Sequence, residues 1–366
     1  MSRSSEAESL LIRLLSKYSP SGEEGEAQEE LFLLLVEKGF EKVRKDQAGN
    51  VIAEKGDGDR TLLFCSHIDT VPGQIKVRLE SGRIWGRGAV DAKASLLAMA
   101  LAASNYRSRG LRLVYSSVVG EESDSKGIKR LLKETSAPNY VLIGESTGMR
   151  AAAIAYRGSA TVKVRVSTRG GHSSSPTEDS NAIIQTMRLV EHLRTKFTFS
   201  KDLFSNIGVS ITMIRGGYGD SRIPDCSEAC LNLRYPPHMG FEELSKMFSS
   251  SVENYIGENK QVLNVSQEFL DHLDGYVSTK DEAMINAIRN AVRKVLGREL
   301  LLIRKLGTSD FNYTGLQWGK PQLAWGPGDP SLAHSSEESI SVEELTQGIK
   351  TYEHFLNSLA SSVASQ

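Results

Sequence analysis

Residues 111–134 read LRLVYSSVVGEESDSKGIKRLLKE. The first part, Leu111–Val119, is apolar and rich in β-formers, as a buried strand is. The last part, Lys126–Glu134, sets Ile128, Leu131 and Leu132 at helical spacing. Between them stand Gly120, Glu121 and Glu122. Two adjacent carboxylates at the end of a strand repel each other unless something cationic neutralises them. Strand, polar turn and helix in so short a run make a βα unit, which predicts an α/β fold.

The alternation extends both ways. Two helical stretches, Glu6–Tyr18 and Glu24–Phe40, open the chain. NVIAEK (50–55) and TLLFC (61–65) read as strands, KVRLESGRIWGRG (76–88) as a hairpin, Ala92–Tyr106 as an Ala/Leu-rich helix and YVLI (140–143) as a strand. From Tyr156 the texture changes. ATVKVRVST (160–168) alternates with period two, as a half-exposed antiparallel strand does. A helix (181–196), NIGVSITMI (206–214), EACLNLRY (228–235), a helix (241–256) and QVLNVSQ (261–267) follow. That β-α-β-β-α-β order is an α+β sandwich in its own right. Then α/β character returns with a helix (281–296), ELLLIRKL (299–306), PQLAWG (321–326) and a last helix. Ser341 and Glu344 in S-x-x-E spacing predict a capping box for that helix. The expected architecture is a three-layer α/β/α sandwich with a mostly parallel central sheet, built from 1–155 and 270–366, and an inserted α+β domain over 156–269.

Composition narrows the function. Lys+Arg number 44 and Asp+Glu 45, a formal net charge of −1, so neither nucleic acid nor an anionic membrane is an expected partner. No run approaches the roughly 20 apolar residues of a membrane helix. The opening MSRSSEAES has no apolar export core, and Cys65, Cys226 and Cys230 are too few for a disulfide framework, so a cytoplasmic location is expected.

Chemistry gathers where the strands end. LLFC is followed by Ser66-His67-Ile68-Asp69, LVYSSVV by Gly120-Glu121-Glu122, and YVLI by Gly144-Glu145. Open α/β sheets bind ligands at the carboxyl ends of their strands. GRGAVDAK adds Asp91, and LAHSSEE adds His334. Taken singly, an H-x-D pair or a GEE turn is more often a solvated loop. Together, His67, Asp91, Glu122, Glu145 and His334 are a ligand set that zinc prefers when thiolates are lacking. Two histidines and three carboxylates are one carboxylate more than a mononuclear catalytic site needs, which suits two metals sharing one of them. Asp69 lies two residues from His67, where it could orient the imidazole.

SHIDTVP, GRGAVDAK, GEES, GEST and AHSSEE resemble the di-zinc aminoacylase/carboxypeptidase family M20, which includes acetylornithine deacetylases and succinyl-diaminopimelate desuccinylases. The resemblance spans nearly the whole chain. It implies two zinc or cobalt ions bridged by Asp91, with His67 and Glu145 on one and Glu122 and His334 on the other. It implies Glu121 as general base and a cis peptide bond at Asp91–Ala92. RGGHSSSP places His172 where the family uses a histidine from the partner subunit to steady the oxyanion, so a homodimer is implied. Arg157, Arg234, Gly307 and Thr308 resemble carboxylate-binding elements of the desuccinylase. Two departures bear on the substrate. Ser221-Arg222-Ile223-Pro224 replaces the usual Asn-Val-Ile-Pro, and Phe311-Asn312 follows GTSD where the desuccinylase has Gly-Arg. The second departure counts against a dicarboxylic succinyl substrate. GTSDFN looks more like the hydrolases that release lysine or ornithine from an acidic amino-group carrier protein in lysine and arginine biosynthesis. N-acetylornithine, N-acetyl-lysine, N-succinyl-diaminopimelate and dipeptides are alternative substrates.

Two rivals remain. Gly144-Glu145-Ser146-Thr147-Gly148 matches the G-x-S-x-G elbow of serine hydrolases, with Asp310 and His334 in the right order, but that elbow demands a helix after the serine. A metal-free scaffold with this fold should have lost some ligands, and here all five are present.

Overall fold

The structure is a computed structural model that describes residues 3–107, 110–174 and 178–364. Two compact units divide the chain: Met1–Ile154, Ser278–Ile303 and Ser309–Gln366 form the first, Ala155–Val277 and Arg304–Thr308 the second.

The first unit begins with α1 (Arg3–Ser16), α2 (Gly25–Glu37), β1 (Glu41–Lys45), β2 (Val51–Lys55) and β3 (Arg60–His67). A small hairpin, β4 (Arg78–Glu80) and β5 (Arg83–Trp85), leads to α3 (Lys93–Ser104), β6 (Leu111–Val118), α4 (Lys126–Glu134) and β7 (Tyr140–Ile143). The chain then enters β8 (Ala151–Tyr156). The second unit continues with β9 (Gly158–Thr168), β10 (Gly171–His172), α5 (Ala182–Lys196), β11 (Gly208–Gly216), β12 (Arg222–Ile223), β13 (Cys226–Tyr235), α6 (Phe241–Glu258), β14 (Val262–Leu273) and β15 (Tyr276–Val277). The return to the first unit brings α7 (Glu282–Leu296), β16 (Leu301–Lys305), α8 (Asp310–Trp318), β17 (Gln322–Ala324), β18 (Ser339–Ser341) and α9 (Val342–Ala364).

The main sheet runs β1-β2-β6-β3-β7-β17-β8, with β16 also on β8. Its centre is parallel: β3 pairs in parallel with β6 and β7, and β7 with β17. The outer pairs β1–β2, β2–β6 and β17–β8 are antiparallel. Parallel strands buried on both faces read as continuous apolar runs, which is why LLFC and YVLI show no alternation. Helix α3 is buried at every position, and its alanines let the sheet and neighbouring helices approach closely. Aromatic packing closes the core: Trp325 meets Tyr352 edge-on at 4.8 Å, and the Tyr352 hydroxyl donates to Trp325 O at 2.7 Å.

The second unit holds a four-stranded antiparallel sheet, β11-β13-β9-β14. Its buried face alternates along β9 as Ala160, Val162, Val164 and Val166, and these pack with Leu189 and Leu193 of α5 and Phe248 of α6. Strand β14 runs on to Leu273, and Tyr276 then pairs with Tyr156, so this unit's own hydrogen bonding reaches Val277.

Three local features differ from the sequence reading. AAAIAY has weak strand propensity, yet pairing with β17 and β15 makes it β8. DFNYTGLQW, with Thr314 and Gly315, is a poor helix by propensity, yet Ser309 and Asn312 form a reciprocal capping box and Phe311 is fully buried, so α8 forms. The predicted Ser341 box is only half made. Ser341 Oγ accepts from Glu344 N at 3.0 Å, but the Glu344 carboxylate takes Gly328 N at 2.8 Å instead of reaching back. Among the described residues no helix is long and apolar enough to cross a membrane.

Candidate metal centre

Strand β3 delivers His67 at the sheet's carboxyl edge, with its side chain buried. Its Nδ1 lies 3.0 Å from the Asp69 carbonyl oxygen and 3.6 Å from the Asp69 carboxylate. Facing two acceptors, Nδ1 carries a proton; Nε2 faces a carboxylate as well, so it holds a proton in the metal-free chain and would give it up to a metal. Nε2 points at Asp91, 3.3 Å from Oδ1. From the far side, His334 Nε2 lies 3.1 Å from Asp91 Oδ2 and 2.7 Å from Glu122 Oε1. One carboxylate thus stands between two imidazoles, each oxygen turned to a different ring. His67, Asp91 and Glu122 each offer a ligand atom, all within 4.8 Å of one another, so the donor set fits a metal. Glu145, half-buried, follows β7 and lies outside that tightest group. The Asp91–Ala92 peptide bond is cis.

Electrostatics in the metal-free chain follow from this crowding. Burial works against a charged Asp91, but hydrogen bonds and charge from His334 and His67 outweigh it and hold Asp91 far below the usual carboxylate range. The bond to Asp91 lifts His334 to about 9 against partial burial, helped by Glu122. His67 is raised well above the ordinary range, because Asp69, Asp91 and Glu121 overcome its burial. Burial pushes Glu121 well up, His67 opposes that, and Glu145, Asp310 and Glu122 add to it. Glu122 is raised by burial too, against the pull of His67 and with Asp91 adding to the rise.

The turn carrying the two glutamates is fixed from several sides. Gly120 adopts φ +72°, a left-handed conformation that strains any residue with a Cβ. The Asp69 carboxylate accepts from Glu121 N (3.1 Å), Glu122 N (3.0 Å) and Ser21 Oγ (2.7 Å). Asp69 therefore holds His67 through its backbone carbonyl, while its side chain anchors the Glu121–Glu122 backbone. Asn50 accepts from Val119 N at 3.1 Å and donates to Gly127 O at 2.8 Å, and Glu24 takes Gly120 N at 3.1 Å. None of Ser21, Glu24 or Asn50 stood out in the sequence, because a polar residue's burial leaves no mark in a one-dimensional pattern.

In the second unit, β10 pairs with β12 so that His172 stands opposite Arg222. His172 is exposed, and its Nδ1 accepts from Ser174 N at 3.2 Å, which leaves Nε2–H as the outward donor. The remainder of that motif, 175 and 176, lies outside the described residues. Arg234 donates from Nε to Asn232 Oδ1 (2.9 Å) and from Nη1 to Thr308 Oγ1 (3.0 Å), and no carboxylate pairs with it among the described residues. Gly307 stands beside Thr308 in the same segment. Arg157 is placed differently. It is buried, and its guanidinium donates to the backbone carbonyls of Asn206 and Arg234.

The serine-hydrolase rival is not supported. Gly148 leads into strand β8, not a helix, and His334 pairs with Asp91 and Glu122. Asp310 is buried with neither carboxylate oxygen hydrogen-bonded, so it orients no histidine.

Known proteins resemble the chain along its whole length. A LysW-lysine hydrolase of Deinococcus radiodurans is 30% identical over 94% of each chain, and a LysW-lysine/LysW-ornithine hydrolase of Sulfurisphaera tokodaii 29% identical over 94% of this chain and 92% of that one. A candidate LysW-lysine/LysW-ornithine hydrolase of Pyrobaculum aerophilum reaches 36% over 93% of this chain and 94% of its own. Among solved structures, the aminopeptidase PepT of Bacillus cereus superposes with a TM-score of 0.80 at 20% identity, covering 98% of this chain and 99% of its own, a likeness of fold alone. The model of peptidase family M20/M25/M40 matches residues 63–358, a span holding His67, Asp91, Glu122, Glu145 and His334. On that match the chain belongs to peptidase family M20/M25/M40, metal-dependent hydrolases of amide bonds.

Proposed function

We propose that this chain releases lysine or ornithine by hydrolysing the amide that joins it to the amino-group carrier protein LysW. The observation that carries the chemistry is the Asp91 carboxylate lying between His67 and His334, 3.3 and 3.1 Å from their Nε2 atoms. The substrate assignment rests on the names of relatives that cover the chain nearly end to end. His67 and Glu145 would hold one ion, Glu122 and His334 a second, with Asp91 shared. Two zinc or cobalt ions would supply a Lewis acid for the scissile carbonyl and a water acidic enough to ionise near neutral pH.

The protein's own groups do the rest. Glu121, adjacent to a ligand but not counted among the ligands, takes the proton of the attacking water and returns it to the departing amine. Burial raises its proton affinity in the metal-free chain, and cations bound beside it would lower that affinity, so the group can both accept and give. His172, with Nε2–H directed outward, donates to the developing oxyanion, in this reading from the partner subunit of a homodimer. Arg234 and Thr308, with Gly307, hold the free carboxylate of the amino acid, and Arg157 fixes the backbone of Arg234 from beneath. Arg234→Ala is expected to raise KM about 10- to 100-fold with kcat little changed, the loss of a charge-assisted hydrogen bond. An unchanged KM would remove Arg234 from the substrate site.

Metal removal has a calculable pH signature. In the metal-free chain His334 keeps its proton up to about 9, above its ordinary value. Its pairs with Asp91 and Glu122 therefore stabilise the chelated protein fully below about pH 6.5 and fade as pH rises through about 9. Metal must displace that proton, so apparent affinity should climb with pH over the same window. Calorimetric titration of the chelated protein between pH 6 and 9 measures this, and a flat profile contradicts the ligand role of His334. The substrate is decided by ranking kcat/KM of the zinc- or cobalt-loaded protein on LysW-linked lysine and ornithine, N-acetyl-lysine, N-acetylornithine and N-succinyl-diaminopimelate. A preference for any of the last three overturns the carrier assignment.

A further inference from the structure

Glu338 lies beyond the ligand His334 in AHSSEE, and the chemistry above gives it no task. It is nonetheless among the most thoroughly bonded side chains in the protein. Its side chain is 1% exposed. One oxygen, Oε1, accepts three backbone N–H groups: Gly88 at 3.0 Å, Val90 at 2.9 Å and Asp91 at 3.1 Å. The other, Oε2, meets Arg87 Nη1 at 2.8 Å. Three amides converge on one oxygen because the loop doubles back at Gly88, whose φ is +90°. A Cβ there would lie 3.0 Å from Thr70 Cγ2 and 3.1 Å from Lys93 Cδ, so the loop curls this way only with glycine.

Arg87 carries the linkage onward. Its Nη1 also donates to Ser335 O at 3.0 Å, and its Nε to Gly73 O at 2.9 Å. Ser335 follows His334, which sits at φ +61°, a left-handed conformation that residues other than glycine seldom adopt. The chain around His334 must therefore be held against relaxation, and the Arg87 bond lies one residue away. Two residues of the metal centre, the shared Asp91 and His334, thus hang from one buried ion pair: Glu338 binds the Asp91 amide, and Arg87 binds the carbonyl after His334.

We infer that Arg87 and Glu338 are a positioning pair that sets the separation of Asp91 and His334 and so governs how tightly the centre holds metal. This rests on the metal-centre reading above. Neither residue touches the ligand atoms. They act through the backbone at both ends, as outer hydrogen-bonding partners do when they orient ligands. Removing charge from Glu338 weakens its hold on three amides at once, because a neutral amide oxygen accepts less strongly than a carboxylate.

The test is Glu338→Gln in the full chain, stripped of metal by chelation and titrated with Co²⁺. Titration is followed by calorimetry and by the visible Co²⁺ absorption, at a temperature where circular dichroism shows the fold intact. Cobalt affinity is expected to fall about 10- to 100-fold, with an altered absorption band, whatever happens to the melting temperature. Wild-type affinity and an unaltered band in the folded variant overturn the inference, even if that variant melts earlier, because the pair would then be structural only. Should Glu338→Gln not fold, Arg87→Lys is read the same way: it keeps the charge but loses the fork that reaches Gly73, Ser335 and Glu338 together. A wild-type chain that takes up no cobalt overturns the metal-centre reading itself, which is a different result from a variant that matches it.

Discussion

Glu121→Gln is expected to lower kcat by about 10²- to 10⁴-fold while leaving metal content and KM close to those of the wild type. The reason lies in what surrounds the side chain. Glu121 N is held by Asp69, and the carboxyl is crowded by Glu145, Asp310 and Glu122 and attracted by His67. Its proton is therefore easily gained and, once cations are present, easily lost. Glutamine keeps the shape and a hydrogen-bonding oxygen but carries no proton between water and amine. Glu122→Gln is the matched control. Glu122 Oε1 faces His334 Nε2 at 2.7 Å, so its loss should show first as lower metal occupancy. Metal analysis beside steady-state kinetics separates the two, and a Glu121→Gln enzyme with near wild-type kcat removes the base assignment.

Asp91→Ala is expected to empty the centre. With Asp91 gone, His67 and His334 lose the one carboxylate that both approach. Its effect on affinity should exceed the roughly 10- to 100-fold typical of an outer hydrogen-bonding partner, since a shared ligand serves both ions. Activity should fall with it and return only partly at high metal concentration. Metal content after dialysis is the measurement. Wild-type stoichiometry in Asp91→Ala contradicts the bridging role and leaves two separate sites or one. The fold itself should persist in the metal-free variant, because the apolar core beneath, with Phe64, Tyr115 and Trp325 fully buried, does not depend on Asp91.

A relation between these residues and the Arg87–Glu338 pair follows. Glu121 and Glu122 are anchored by Asp69, Asn50 and Glu24, and Asp91 and His334 by Arg87 and Glu338. The two sets share no side chain. Glu122 and His334 nonetheless meet at 2.7 Å and would share an ion, so variants in one set should couple with variants in the other, and Arg87 and Glu338 replaced together should cost little more than either alone.

Much of this could be read from the chain as text. The parallel sheet was legible because LLFC and YVLI are continuous apolar runs, and polar clusters after each run mark the sheet edge where ligands bind. Period-two alternation in ATVKVRVST announced a different, half-exposed sheet. Those signals depend on short-range order, which a sequence records directly. AAAIAY and DFNYTGLQW were not legible as strand and helix, because their states are set by partners distant in the chain, β17 for one and the packing of Phe311 for the other. Residue types at strand ends likewise pointed to His67, Asp91, Glu122 and His334 as a group. What tertiary structure alone decided is how that group is held. The turning of the two Asp91 oxygens toward different histidines, the use of the Asp69 carboxylate on backbone amides and the burial of Glu338 under three N–H groups are long-range geometry. Hydrogen bonding between residues 250 apart leaves no periodicity to read.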